Sequence, residues 1–307
     1  MTVKLETRIS GLKLENPTIL ASGILGISKK ILERVAKSGA GAVTTKSITL
    51  KPREGHNNPI FIQATTETFL NAVGYSNPGL EAAKEEFSNL SDFTIPVIGS
   101  LTAENEEEYS RLTESVKEIE FKAIEIVLSC PHTPGFGLLA GHGTPKATYE
   151  ITSTVRKKTK LPLFVKVSPN VMNLGEVVKA AEKAGSDAIT AVNTLGPGMS
   201  IDVETGNPIL AFKVGGLSGP ALKPIAVRCV YDIYKSVKIP IIGVGGILNG
   251  KDAIEMIMAG ASAVGIGTGI YYRGIDIFKK VCDEMREFME SHGYSNLKEI
   301  VGIAHRD

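Results

Sequence analysis

Cys130 stands just past an apolar run, Ile124–Leu128, and is followed by Pro131 and a glycine-rich stretch that runs on to Gly143. A thiol delivered to the end of a buried strand can take a proton once it is a thiolate, and nearby lysines favour that form. Cysteine within an apolar strand is usually small core filler. The proline and glycines beyond Cys130 put it past the strand and favour a reactive role. Lys46, in Thr44-Thr45-Lys46-Ser47, and Lys166, in Phe164–Asn170, also end apolar runs. A buried ammonium needs a partner, and two at equivalent strand ends suggest an anionic or electron-rich ligand between them. Asn71-Ala72-Val73-Gly74-Tyr75-Ser76-Asn77 and Asn193-Thr194 add amides that could read a planar polar ligand, although a lone asparagine more often serves a turn.

Two glycine clusters follow later apolar runs: Gly243-Val244-Gly245-Gly246-Ile247 and Gly265-Ile266-Gly267-Thr268-Gly269. Glycine lets backbone N–H groups approach a phosphate closely at a helix start; the alternative is that they only turn tight corners. Two such loops in succession favour a phosphorylated ligand or cofactor. No Ser/His/Asp set and no metal-ligand spacing is present; His56, His132 and His142 lie in loop-like stretches.

The elements that would position these residues are short, continuously apolar strands. Candidates are 17–21, 42–45, 95–99, 123–128, 163–167, 188–192, 239–243 and 263–266, as expected of parallel strands buried on both faces. Helical stripes alternate with them: Ile27, Ile31 and Val35; Leu174, Val177, Val178 and Ala181; Ile254, Ile257, Met258 and Ala261. Asn77-Pro78 and Thr144-Pro145 read as N-cap followed by proline at the first helical position. Gly39, Gly185 and Gly260 read as helix ends. The acidic run Glu104–Glu108 suits a helix start. Leu5–Leu14 alternates around Ser10-Gly11 as a hairpin.

The expected fold is therefore α/β: a (β/α)8 TIM barrel with an N-terminal β-hairpin and long loops on its C-terminal face. Connections 46–77, 129–143 and 193–220 are too long for plain turns, and long loops in compact domains are usually functional or disordered. They follow the second, fourth and sixth strands, so they would gather at the face where barrels place their chemistry.

The chain has 307 residues, 43% of them apolar and 22% charged, with net charge +1. That balance gives no electrostatic footprint for nucleic acid or anionic membrane. No apolar run reaches the ~20 residues a membrane helix needs. Three scattered cysteines, Cys130, Cys229 and Cys282, make no disulfide framework or zinc pair, and a reducing cytoplasm is the expected location. Cys229 and Cys282 fall in helical patterns as filler.

Taken in order, these motifs resemble class 1 dihydroorotate dehydrogenase. The resemblance rests on Ala21-Ser22-Gly23, Thr45-Lys46-Ser47, Asn71–Asn77, Ser129-Cys130-Pro131, Lys166, Asn193-Thr194, Gly215–Pro220, Gly245-Gly246 and Gly267-Thr268. Ile201–Gly206 is most similar to the class 1B branch, archaeal type. Residues 1–307 would then form a single FMN-binding barrel domain. The resemblance implies that Ser22, Lys46, Ser47, Lys166, Val192, Gly219, Gly245, Gly246, Gly267 and Thr268 hold FMN. It implies that Lys46, Asn71, Ala72, Val73, Gly74, Tyr75, Asn193 and Thr194 meet dihydroorotate or orotate, with Cys130 and Lys46 catalytic.

It further implies a place in pyrimidine biosynthesis, a homodimer core and a separate iron–sulfur/FAD electron-transfer subunit. At one position the pattern differs: Val127 stands where many members carry asparagine. A related FMN-dependent dihydropyrimidine dehydrogenase or reductase, a phosphate-binding barrel without flavin, and a non-catalytic flavin-binding subunit are the alternatives.

Overall fold

The structure, a computed structural model, describes residues 3–128 and 143–306. Strands β1 (Thr7–Ile9) and β2 (Leu12–Leu14) pair antiparallel across Ser10-Gly11. Both turn residues have positive φ, as the commonest two-residue hairpin turn requires. Then come β3 (Thr18–Leu20), α1 (Lys29–Lys37) and β4 (Ala42–Thr44). The next connection carries β5 (Phe61–Thr65) and β6 (Thr68–Asn71) before α2 (Gly79–Glu86).

Strict alternation resumes with β7 (Val97–Leu101), α3 (Glu106–Ser115), β8 (Ala123–Val127) and α4 (Pro145–Lys158). It continues through β9 (Leu163–Val167), α5 (Leu174–Lys183) and β10 (Ala188–Ala191). The connection beyond forms β11 (Leu195–Gly198), β12 (Ile201–Asp202), β13 (Asn207–Pro208) and β14 (Gly215–Ser218). Helix α6 (Lys223–Ser236), β15 (Ile241–Val244), α7 (Gly250–Met258), β16 (Ala263–Ile266), α8 (Gly269–Arg273) and α9 (Ile277–Ser291) follow.

Strands β3, β4, β7, β8, β9, β10, β15 and β16 close into a parallel barrel, each paired with the next and β16 with β3. All eight expected strands are present, and the TIM barrel with its N-terminal hairpin is the observed architecture. Strand alternation splits its side chains into two sets. One set packs outward against the helices, as Leu20, Val43, Ile126, Val165 and Ile189 do.

The other set fills the lumen in layers. Ile19, Ala42, Ile98, Ala123, Phe164, Ala188, Ile242 and Ala263 make one apolar cluster with Ile9 and Leu14 of the hairpin, so the hairpin closes the barrel floor. Each large buried side chain there contributes about 1.5–3 kcal/mol. Two residues further along the strands the lumen turns polar: Thr44, Ser100, Glu125, Lys166 and Thr190 are all buried.

Several local expectations need correction. The long connections after β4 and β10 are joined to each other: β5, β6, β14 and β11 form one antiparallel four-stranded sheet. The strands expected at 95–99 and 239–243 run instead from Val97 to Leu101 and from Ile241 to Val244, because the ladder continues to the barrel mouth. Ile27 precedes α1 and is 51% exposed; Leu32 and Val35 form the buried stripe.

Pro78 occupies the N-cap of α2, and Asn77 stands one residue earlier. Its side chain is drawn into a turn instead, where Oδ1 accepts from the Gly79 N–H at 2.9 Å. Thr144 caps α4 as expected, accepting from the Ala147 N–H, with Pro145 next. Asn105 does the same for α3, whose first turn holds Glu106, Glu107 and Glu108. The third long connection, residues 129–142, lies outside the described residues.

Candidate active site

The C-terminal ends of the barrel strands surround a cavity of about 420 Å³, within the range of small-molecule sites. Its walls come from both layers of the fold. Ala21, Ser22 and Gly23 follow β3; Lys46 and Ser47 follow β4; Val127 ends β8; and Lys166 projects from β9. Val192, Asn193 and Thr194 follow β10, and Gly245, Gly246, Gly267 and Thr268 supply the glycine loops after β15 and β16. The four-stranded sheet contributes Phe61, Asn71 and Ser218, with Ala72, Val73, Gly74, Tyr75 and Gly219 beside it.

Every site residue expected from the sequence therefore lines one cavity, except Cys130, which lies outside the described residues. Among residues not foreseen, Phe61, Leu222 and Ile247 give the cavity apolar wall. Phe61 had no signal beyond its place in a long loop.

Local hydrogen bonds fix the polar groups. Lys166 Nζ donates to Ser22 Oγ at 3.0 Å, and Ser22 Oγ donates to Glu125 Oε1 at 2.9 Å. The Ser47 and Ser100 hydroxyls lie 2.9 Å apart. Asn71 Nδ2 donates to the Gly216 carbonyl at 3.1 Å, tying β6 to β14 where they face the cavity. Asn170 orders the opposite rim: its Nδ2 donates to the Thr194 carbonyl at 3.2 Å, and its Oδ1 accepts from the Gly196 N–H at 2.9 Å. The Val127 carbonyl accepts from the Tyr109 hydroxyl, while the Val127 side chain faces the cavity.

The glycine loops are built for a close approach. Gly246 has φ +72°, and a methyl group there would meet Lys223 Cβ at 2.6 Å. Gly267 is different: a Cβ would touch nothing nearer than Ala21 Cβ at 4.0 Å, and Ala21 also lines the cavity. One glycine is required by its own turn, and the other leaves space open at the cavity wall. Such a cradle, with two lysines on the walls, fits a phosphorylated, electron-rich group such as a flavin nucleotide.

Cys229 and Cys282 lie apart from the site, on α6 and α9. Burial pushes both thiols up to about 11, which suits the filler role expected of them. Among the described residues no cluster of histidine, cysteine or carboxylate side chains could hold a metal.

The dihydroorotate dehydrogenase family model matches residues 4–289. The chain belongs to the dihydroorotate dehydrogenase family. Its members are flavin-dependent oxidoreductases, so the chain is identified as an enzyme of that class. The catalytic subunit of dihydroorotate dehydrogenase B (NAD(+)) from Methanothermobacter thermautotrophicus is 46% identical over 306 residues, covering 99% of this chain and 100% of that one. The subunit of the same name from Methanocaldococcus jannaschii is also 46% identical, over 305 residues and 98% of each chain.

Among solved structures, DHODH from Eimeria tenella in complex with ferulenol superposes with a TM-score of 0.84 at 25% identity. That match covers 99% of this chain and 89% of the other. The resemblance to the archaeal class 1B branch is borne out by these relatives. Among the described residues no helix is long and apolar enough to cross a membrane.

Proposed function

We propose that the cavity binds FMN and dihydroorotate together and that the chain forms orotate there for pyrimidine biosynthesis. The observation that carries this reading is the convergence of both residue sets, the glycine–lysine set and the asparagine-rich set, on one cavity. Gly245, Gly246, Gly267 and Thr268 would hold the FMN phosphate. Ser22, Lys46, Ser47, Lys166, Val192 and Gly219 would hold the rest of the cofactor.

When bound, FMN supplies a hydride acceptor for C6 of the substrate. Lys46, Asn71 through Tyr75, Asn193 and Thr194 orient the pyrimidine ring. Cys130, as thiolate, takes the proton from C5. The lysines offer positive charge where negative charge accumulates, which is commonly a large term in catalysis. Phe61, Val127 and Ile247 keep apolar surface around the reacting atoms.

The relatives' names speak of NAD(+) and of a catalytic subunit. The words catalytic subunit support a separate partner subunit; in this reading the partner is an iron–sulfur/FAD protein that passes electrons onward, and the location is the cytoplasm. A homodimer core is part of the same reading. Val127 favours one second reading, a related dihydropyrimidine as substrate, because its side chain offers the cavity no hydrogen bond.

One experiment separates these readings. The purified chain is analysed for bound FMN and then assayed with a dye acceptor on dihydroorotate and dihydrouracil. Bound FMN with orotate formation is the expected result. A colourless protein would overturn the cofactor assignment, and selective turnover of dihydrouracil would overturn the substrate.

A further inference from the structure

Glu125 projects from β8 into the polar layer of the lumen and is 4% exposed; Lys166, on the neighbouring β9, is 5% exposed. Among the described residues these two opposite charges meet through a hydroxyl and not in a direct ion pair. Lys166 Nζ donates to Ser22 Oγ at 3.0 Å, and Ser22 Oγ donates to Glu125 Oε1 at 2.9 Å. The single hydroxyl proton is committed to the carboxylate and a lone pair to the ammonium, so the chain of bonds has one direction. Ser22 and Lys166 line the cavity, with Glu125 behind them.

A buried charge stripped of its partner is strongly destabilising, whereas replacing both members of a pair by neutral groups often is not. Carboxylates are almost never fully buried unless paired. This one lies two hydrogen bonds from a lysine on the cavity wall.

We propose that Glu125 is a positioning residue of the flavin site. Acting through Ser22, it fixes Lys166 at the wall and partly balances its charge, and so sets how strongly the site favours reduced flavin. The inference rests on the flavin reading of the cavity. Reduction adds negative charge to the flavin; Lys166 favours that change and Glu125 opposes it. Removing the carboxylate charge therefore makes reduction easier.

The test uses Glu125→Gln, which keeps shape and loses charge, and Glu125→Asp, which keeps charge and loses length. In the flavin-loaded protein, E125Q should shift the two-electron reduction equilibrium by about tenfold toward reduced flavin, about 30 mV upward in midpoint potential. E125D, which keeps the charge, should shift it by clearly less than E125Q. The opposite pattern, or no shift in E125Q, would overturn the proposal.

A second measurement needs no flavin. In the flavin-free protein E125Q should lower the thermal midpoint, and adding Lys166→Met should restore it, the non-additivity expected of coupled residues. Additive losses would overturn the coupling. If E125Q alone does not fold, the E125Q/K166M chain decides: its folding supports the pair, and its failure to fold counts against it. A parent protein that takes up no flavin would instead defeat the cofactor reading, with the unfolding cycle still reporting on Glu125 and Lys166.

Discussion

The Tyr109 hydroxyl, on a residue with no exposed surface, donates to the Val127 carbonyl oxygen over 2.9 Å. Helix α3 thereby grips the last residue of β8, at the wall of the cavity. Tyr109→Phe removes this bond. Thr102 Oγ1 lies 3.4 Å from the same carbonyl, so the acceptor is not orphaned and the cost falls near the middle of the usual range. The expected loss is about 1 kcal/mol, read from urea unfolding of the two proteins. A loss of several kcal/mol would mean that the Thr102 contact fails once Tyr109 is gone.

Gly246 and Gly267 should separate backbone tolerance from ligand space. Gly246→Ala forces a Cβ to within 2.6 Å of Lys223 Cβ at a positive φ, so both stability and flavin binding should fall. Strain of this kind costs of order 1–3 kcal/mol. Gly267→Ala meets nothing nearer than 4.0 Å. Its thermal midpoint should match the parent while flavin affinity drops by about tenfold or more, an ordinary loss for a blocked contact. Titration of flavin-free protein by flavin fluorescence checks both. Equal affinity in Gly267→Ala and parent would place the phosphate elsewhere.

Lys223 offers a pH-dependent test. Its Nζ lies 2.7 Å from Asp252 Oδ1 and 2.8 Å from Glu255 Oε2, linking the start of α6 to α7. Burial alone would lower its pKa, but the hydrogen bonds to Asp252 and Glu255, aided by their charges, outweigh burial and raise it. A raised folded-state pKa stabilises fully below the unfolded value, about 10.4 for lysine. That contribution is lost as pH climbs through the folded value. Lys223→Met should therefore cost about 1–2 kcal/mol at neutral pH, allowing for solvent screening. The gap to the parent should narrow in strong alkali. Urea unfolding across that range measures it, and a gap independent of pH would remove the ion pair as its cause.

The barrel was legible because its strands are continuous apolar runs. Leu163–Val167 and Ala263–Ile266 match to the residue. The sheet over the mouth was not legible, for a physical reason. Leu195-Gly196-Pro197-Gly198 carries no strand propensity, and Asn71 finds Gly216 across 145 residues of chain, a pairing that local pattern does not encode. Glycine and lysine chemistry pointed to the cavity wall. Glu125 stands out in the sequence only as a single carboxylate within the apolar run Ile124-Glu125-Ile126. Its meaning depends on Ser22 and Lys166, which only barrel closure brings to it.

Cys130 can be tested through the contrast with the other thiols. Burial pushes Cys229 and Cys282 up to about 11, so at neutral pH each holds very little of the thiolate that alkylating reagents attack. Cys130, if it is the base, must reach thiolate near the working pH. Brief iodoacetamide treatment at neutral pH, followed by peptide mass spectrometry, should therefore place the label on Cys130 first. Added orotate should slow the labelling. Cys130→Ala should keep its flavin and lose about 100- to 10,000-fold in turnover, the usual share of a general base. In the parent, kcat/KM should fall as pH drops through the thiol pKa, because protonation removes the base. Preferential labelling of Cys229, or turnover surviving in Cys130→Ala, would take proton abstraction away from this residue.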